Sequence, residues 1–241
     1  MKIVEKFKEK AADKRSVRPL TIAFLGDSVT QGCFECYLTG PSSLETVYDK
    51  NSAYHNYFAK ILSVLYPEVP VNIINAGISG DSAPQGLLRL DRDVLSYNPD
   101  LVVVCFGLND SGKGLEGIKV YTDALEAIFK KLADEGKEVI FMTPNMMNTS
   151  ISPHLKEEHL INVANRIGKI QTDGVLDEYI EEAKKACEKY NVTVCDCYTK
   201  WKKLSECGIN ITELLANKIN HPTREMNWMF AYSLVETMLG I

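Results

Sequence analysis

The chain has 241 residues, with 27 Lys and Arg against 32 Asp and Glu, a formal charge of −5, 45% hydrophobic and 24% charged residues. That balance belongs to a folded globular protein and excludes wholesale disorder and a collagen-like repeat. The acidic excess gives nucleic acid no electrostatic encouragement, and no apolar run approaches the ~20 residues of a membrane-spanning helix.

Short apolar runs alternate with amphipathic stretches along the chain. Leu20–Leu25 predicts a first strand, and Ala53–Leu65 a helix that stops before Pro67. Val71–Ile74 predicts a second strand. Gly86–Leu95 then shows helical spacing at Leu87, Leu88, Leu90 and Leu95. Leu101–Phe106 is a third strand, Tyr121–Leu132 a helix with Gly136 as its stop signal, and Val139–Met142 a fourth strand. The stretch from Thr143 to Gly174 is the least strand-like and predicts a loop and helical insertion over one end of the sheet. Val175–Tyr190 is helical, Val192–Cys195 a fifth strand, and Glu225–Leu239 a closing helix. Near-continuous apolar runs suit strands buried on both faces. The alternation predicts right-handed βαβ units in one domain over residues 1–241: a three-layer α/β/α fold around a five-stranded parallel sheet. Ligands of such sheets bind beyond the carboxyl ends of the strands.

Seven cysteines punctuate the chain: Cys33, Cys36, Cys105, Cys187, Cys195, Cys197 and Cys207. The count is odd, and the first residues mix acids and bases with no apolar segment, unlike a secretory leader. The expectation is reduced thiols and a cytoplasmic protein. Cys33 and Cys36 form a lone C-x-x-C without the second ligand pair that a zinc site uses, so neither metal nor other cofactor is expected. His154 and His159 stand among Lys156, Glu157 and Glu158 and read as a solvated helix face.

Four segments carry the chemistry. After the first strand comes Gly26-Asp27-Ser28-Val29-Thr30-Gln31-Gly32. A serine on a tight strand-to-helix turn exposes its hydroxyl, and the helix start offers N–H groups to a developing oxyanion. The same residues also make an ordinary helix cap. A phosphate loop does not fit, because neither Gly-Lys-Ser/Thr nor G-x-G-x-x-G is present. After the second strand, Asn75-Ala76-Gly77-Ile78-Ser79-Gly80 lets backbone approach a ligand closely, or is a plain turn. After the third, Gly107-Leu108-Asn109-Asp110 places an amide over the sheet end, or an Asx turn. Near the C-terminus, Asn217-Lys218-Ile219-Asn220-His221-Pro222 offers a loop-borne histidine, the usual base for a serine nucleophile. His55 lies in an amphipathic, Tyr-rich helix and reads as structural.

These four blocks in this order resemble the SGNH hydrolase family, the GDSL-type esterases and lipases. The signature residues fall on Ser28, Gly80, Asn109 and His221. The resemblance implies a flavodoxin-like fold and hydrolysis of carboxylic esters through an acyl-enzyme. It implies Ser28 as nucleophile, His221 as base, and the Ser28 N–H, Gly80 N–H and Asn109 amide as oxyanion donors. Asp27 would orient the turn.

One position departs from the family. The usual acid three residues before the histidine is here Lys218. Three arrangements remain open: a Ser–His dyad with a backbone carbonyl orienting His221, Asn217 as orienter, or a distant carboxylate such as Asp196 or Glu213. The expected reaction is hydrolysis of small or carbohydrate-linked acyl esters, including sugar O-deacetylation. The alternatives are an idle binding protein on the same fold, an acyltransferase, and a lipase- or lysophospholipase-like activity. The segment 32–54 and the Thr143–Gly174 insertion are expected to border the site, with Cys33 and Cys36 at its rim. A neutral imidazole base predicts an ascending limb in the pH–rate profile, with flatness over about pH 5–8 counting against it.

Overall fold

The computed structural model describes residues 1–40 and 43–241, so Pro41 and Ser42 of the expected site-bordering segment lie outside the described residues. Five parallel strands form the central sheet: β1 (Leu20–Gly26), β4 (Val71–Gly77), β5 (Leu101–Cys105), β6 (Glu138–Met142) and β7 (Thr193–Cys195). Their spatial order is β4-β1-β5-β6-β7, and Gly26 is paired with Gly77 on one side and Cys105 on the other. Every residue of β1 and β5 is buried, which is why both read as near-continuous apolar runs.

Helices cover both faces. α3 (Tyr54–Leu65) packs on α9 (Arg224–Leu239), while α5 (Ile118–Asp134) packs on α4 (Ala83–Asp93) and α7 (Val175–Tyr190). One apolar cluster runs from Ile3 to Met238 and includes the buried rings of Phe24, Phe106, Phe141, Trp201 and Phe230. Gly86 belongs to this packing. A Cβ there would stand 2.4 Å from the Phe106 ring.

The elements expected from the sequence are present, with shifted ends. β4 extends three residues beyond Ile74, and α4 begins at Ala83, where Ser82 and Gln85 form a capping box. The 143–174 stretch is a loop followed by α6 (Glu158–Thr172). Two further helices lay outside the sequence reading, α1 (Lys2–Ala12) and α8 (Cys197–Glu206), while the helix start expected at Ser28 is the four-residue α2 (Ser28–Gln31). A hairpin was also missed. β2 (Cys33–Leu38) and β3 (Leu44–Tyr48) pair antiparallel, with a register shift between Cys33 and Cys36. Phe34 lies in the shifted stretch and has no partner across the ladder. The C-x-x-C is therefore part of a strand beside the site.

Candidate active site

Ser28 sits where β1 hands over to α2. The turn is tight enough that a Cβ at Gly26 would lie 2.1 Å from Thr30 Oγ1 and 2.8 Å from the Cys105 carbonyl. Gly77 is equally constrained, since a Cβ there would lie 2.2 Å from the Gln31 nitrogen. Asp27 caps the helix: its Oδ1 accepts the Val29 N–H at 2.9 Å. Its burial pushes the carboxyl up to about 7, with lesser repulsion from Asp110 and Asp81. Ser28 itself is only 4% exposed, and as the first helical residue its N–H has no partner within the helix.

His221 closes on this turn from the other end of the chain. Its Nε2 lies 3.0 Å from Ser28 Oγ, and its Nδ1 lies 2.9 Å from the carbonyl oxygen of Phe34. A carbonyl oxygen can only accept, so Nδ1 carries the hydrogen and Nε2 presents a lone pair to the serine hydroxyl. Burial lowers the imidazole to about 4, only partly offset by the bond to Phe34. The imidazole is thus neutral throughout the physiological range.

Of the three arrangements left open by the missing acid, the geometry matches the backbone carbonyl. Asn217 serves the loop instead of the ring. Its Oδ1 accepts the N–H groups of Ile219, Asn220 and His221 at 3.0, 2.9 and 2.9 Å, and its amide donates to Asn220 Oδ1. Lys218 adopts φ +59° within this turn and reaches back to Glu213. Glu213 is occupied by Lys218 and Ser152, and Asp196 by Thr143, Thr199 and Lys184. Neither carboxylate hydrogen-bonds the imidazole.

The oxyanion donors expected from the sequence gather at the same sheet end. Gly80 has φ +83°, which glycine adopts without strain, and its N–H donates to no acceptor among the described residues. Asn109 uses one amide hydrogen on the Asp81 carbonyl at 2.8 Å, leaving the other for a substrate. Asp110 is buried, accepts the N–H groups of Ala83 and Gly107, and is pushed up to about 6 by desolvation.

Sequence reasoning missed two supporting groups. One is the Phe34 carbonyl, which has no side-chain signature. The other is Arg89. This buried guanidinium donates to the Gly26 carbonyl at 2.9 Å, the Ala76 carbonyl at 2.6 Å and Asp81 Oδ2 at 2.6 Å. One side chain thus ties the Ser28 turn to the Gly80 loop, and through Asp81, whose carbonyl accepts from Asn109, to Asn109.

A cleft of about 780 Å³ opens beside Gly80 and Asn109, walled by Pro84, Gln85, Val120 and Tyr121. A smaller one of about 220 Å³ lies between Asn109 and Asn220, bordered by α6. Cys36 stands at the rim, its Sγ 4.0 Å from His221 Nδ1, whereas Cys33 is buried and its thiol is pushed up to about 11 by desolvation. Among the described residues no three His, Cys, Asp or Glu side chains converge as a metal set.

Residues 24–229 match the model of the GDSL-like Lipase/Acylhydrolase family. The chain belongs to this family. An acetylxylan esterase of Geobacillus stearothermophilus is 30% identical over 132 residues, 51% of this chain and 58% of the relative. An arylesterase of Vibrio mimicus is 38% identical over 72 residues, 30% of this chain and 36% of the relative. The matched stretches thus span under two thirds of either relative's length. Among solved structures, the acetylxylan esterase from Geobacillus stearothermophilus superposes with a TM-score of 0.67 at 20% identity, covering 91% of this chain and 94% of that one. A two-domain esterase active on acetylated mannans gives 0.68 at 17% identity, covering 99% of this chain and 52% of that one. At these identities the structural likeness establishes the fold, an α/β sheet flanked by helices.

Proposed function

We propose that this GDSL-family protein is a serine esterase acting on small or carbohydrate-linked acyl esters through an acyl-enzyme. The observation that carries the reading is the 3.0 Å contact between His221 Nε2 and Ser28 Oγ, with the far side of the ring fixed on Phe34. Ser28 Oγ attacks the ester carbonyl while its proton passes to Nε2. The N–H groups of Ser28 and Gly80 and the Asn109 amide take the developing oxyanion. The C–O bond to the alcohol then breaks, and His221 returns the proton to the leaving oxygen. Water, deprotonated by the same nitrogen, releases the acid and restores Ser28.

A Phe34 carbonyl stabilises imidazolium less than a carboxylate does, and burial disfavours it further. Turnover slower than that of a full triad is therefore part of the proposal. The similarity to an acetylxylan esterase supports acetylated carbohydrate as the substrate, and the odd cysteine count supports a reducing compartment, the cytoplasm. The test is hydrolysis of p-nitrophenyl acetate and butyrate by wild type and Ser28→Ala, together with fluorophosphonate labelling. Loss of both activities in the variant is expected. Equal rates in both proteins would sink the reading, and absence of labelling in wild type would favour an idle binding protein.

A further inference from the structure

We propose that the substrate carries an anionic group, a carboxylate or phosphate, which docks between Lys113 and Arg166 beside the reacting ester. This rests on the esterase reading and specifies its substrate. The 220 Å³ cleft is lined by Leu108, Asn109, Gly112, Ile167, Ile170 and Asn220 together with these two cations. Asn109 and Asn220 place it at the reaction centre, since one is an oxyanion donor and the other precedes His221. No carboxylate borders it.

The charges there are not spoken for. Most lysines and arginines of this acidic chain hold a carboxylate within 4 Å, as Arg89 does with Asp81 and Arg224 with Glu35. Among the described residues Lys113 and Arg166 have no ion pair. The nearby acids do not neutralise them. Asp110 accepts two backbone N–H groups, and Asp81 is held by Arg89. Glu116 lines the larger cleft, which Lys113 also borders, and the two make no ion pair among the described residues. Both cations are exposed side chains bordering one small cleft, and an anion between them gains charge-assisted hydrogen bonds from each. Arg166 sits on α6 and Lys113 follows β5, so the sheet and the insertion each contribute one charge. The cleft lies below the roughly 300–1,000 Å³ of pockets that engulf drug-sized ligands, so it suits one small group and not a polymer segment.

The experiment compares three acetyl esters of matched size: methyl O-acetyl-glucoside, methyl O-acetyl-glucuronoside and O-acetyl-glucose 6-phosphate. At low salt the charged esters should exceed the neutral one about tenfold or more in kcat/KM, chiefly through KM, and the gap should shrink at high ionic strength. In the Lys113→Met/Arg166→Met double variant the ratio of charged to neutral kcat/KM should fall to about one. Preference for only one charged ester supports the proposal and identifies the anion. A wild-type ratio near one, or a ratio that survives the double substitution, overturns it while leaving the esterase reading intact. If no ester shows Ser28-dependent turnover, the esterase reading fails. Calorimetric binding of methyl glucuronoside and methyl glucoside to Ser28→Ala protein then decides the anion site. Tighter binding of the charged glycoside, lost in the double variant, supports it, and equal binding overturns it.

Discussion

The imidazole of His221 donates its Nδ1–H to the carbonyl oxygen of Phe34, 2.9 Å away, and no carboxylate among the described residues hydrogen-bonds the ring. The orienting group is therefore backbone, set by the irregular stretch of the β2–β3 hairpin. The turn that delivers the imidazole depends on Asn217, which accepts three consecutive N–H groups. Replacing Asn217 by Ala should remove these three hydrogen bonds, at roughly 1 kcal/mol each, and lower kcat about tenfold or more with little change in KM. Asn217→Asp keeps the acceptors and should stay within about threefold of wild type in kcat. Thermal melts and ester kinetics on both variants check this. Wild-type kcat in Asn217→Ala would show that the turn holds without it.

The pH dependence of kcat/KM should place its acid limb near pH 4, because burial lowers His221 to about 4. Above that limb the base is neutral and the nucleophile available. A limb centred near the ordinary histidine value would mean that the imidazole is solvated in the working enzyme. The profile is measured with a neutral ester, so that substrate ionisation does not enter.

His55 gives a separate prediction for stability. It is buried against Phe24 with both ring nitrogens unpartnered among the described residues, and burial lowers it from 6.5 to about 4. Between those values the unfolded chain binds a proton that the folded one refuses, so stability is lost as pH falls from 6.5 towards 4. The buried Asp27 and Asp110 work in the opposite sense. Their raised values, about 7 and about 6, mean that stability is lost as pH rises from 3.8. Relative to wild type, His55→Phe should gain roughly 1 kcal/mol for each pH unit between 6.5 and 4.5. Urea unfolding at both pH values measures the difference. An unchanged difference would mean that His55 titrates normally in the folded state.

Asn109→Ala removes one oxyanion donor and should lower kcat by roughly 10²–10³ while KM moves little. The same substitution also frees the Asp81 carbonyl. A loss confined to KM would assign the amide to ground-state binding instead.

Arg89→Met should both destabilise the fold and slow the reaction. It strips donors from the Gly26 and Ala76 carbonyls and leaves Asp81 without its guanidinium, a loss of several kcal/mol by analogy with broken buried pairs. Asp81→Asn breaks only the ion pair and should therefore cost less in Tm. The positioning role requires a fall in kcat in both variants, and added guanidinium ion should restore part of it in Arg89→Ala. Normal kcat in folded Arg89→Met would leave the residue a purely structural one.

Much of this protein is legible without coordinates because its signals are local. Near-continuous apolar runs mark strands buried on both faces, and residues just past their ends are where such sheets bind ligands. That rule points to the turns that hold Ser28, Gly80 and Asn109, the scarcity of histidine points to His221, and the resemblance to the SGNH family implies their roles. The hairpin was hidden because Cys33 and Cys36 invite a reading as thiol chemistry, while exposure of much of its surface weakens the periodicity of its strands.

What the chain could not disclose was everything that depends on distance across the fold. The sequence by itself determined the sheet, the Ser28 turn and the residue types of the proposed oxyanion site, since each rests on patterns a few residues long. Only the tertiary structure decided what faces the far side of the imidazole. A carbonyl looks the same at every position of a sequence, and Phe34 and His221 meet only after nearly two hundred residues of folding. The convergence of Arg89 on two strand ends, and of Lys113 and Arg166 on one cleft, is of the same kind: their chemistry is written in the chain, but their partners are chosen by packing.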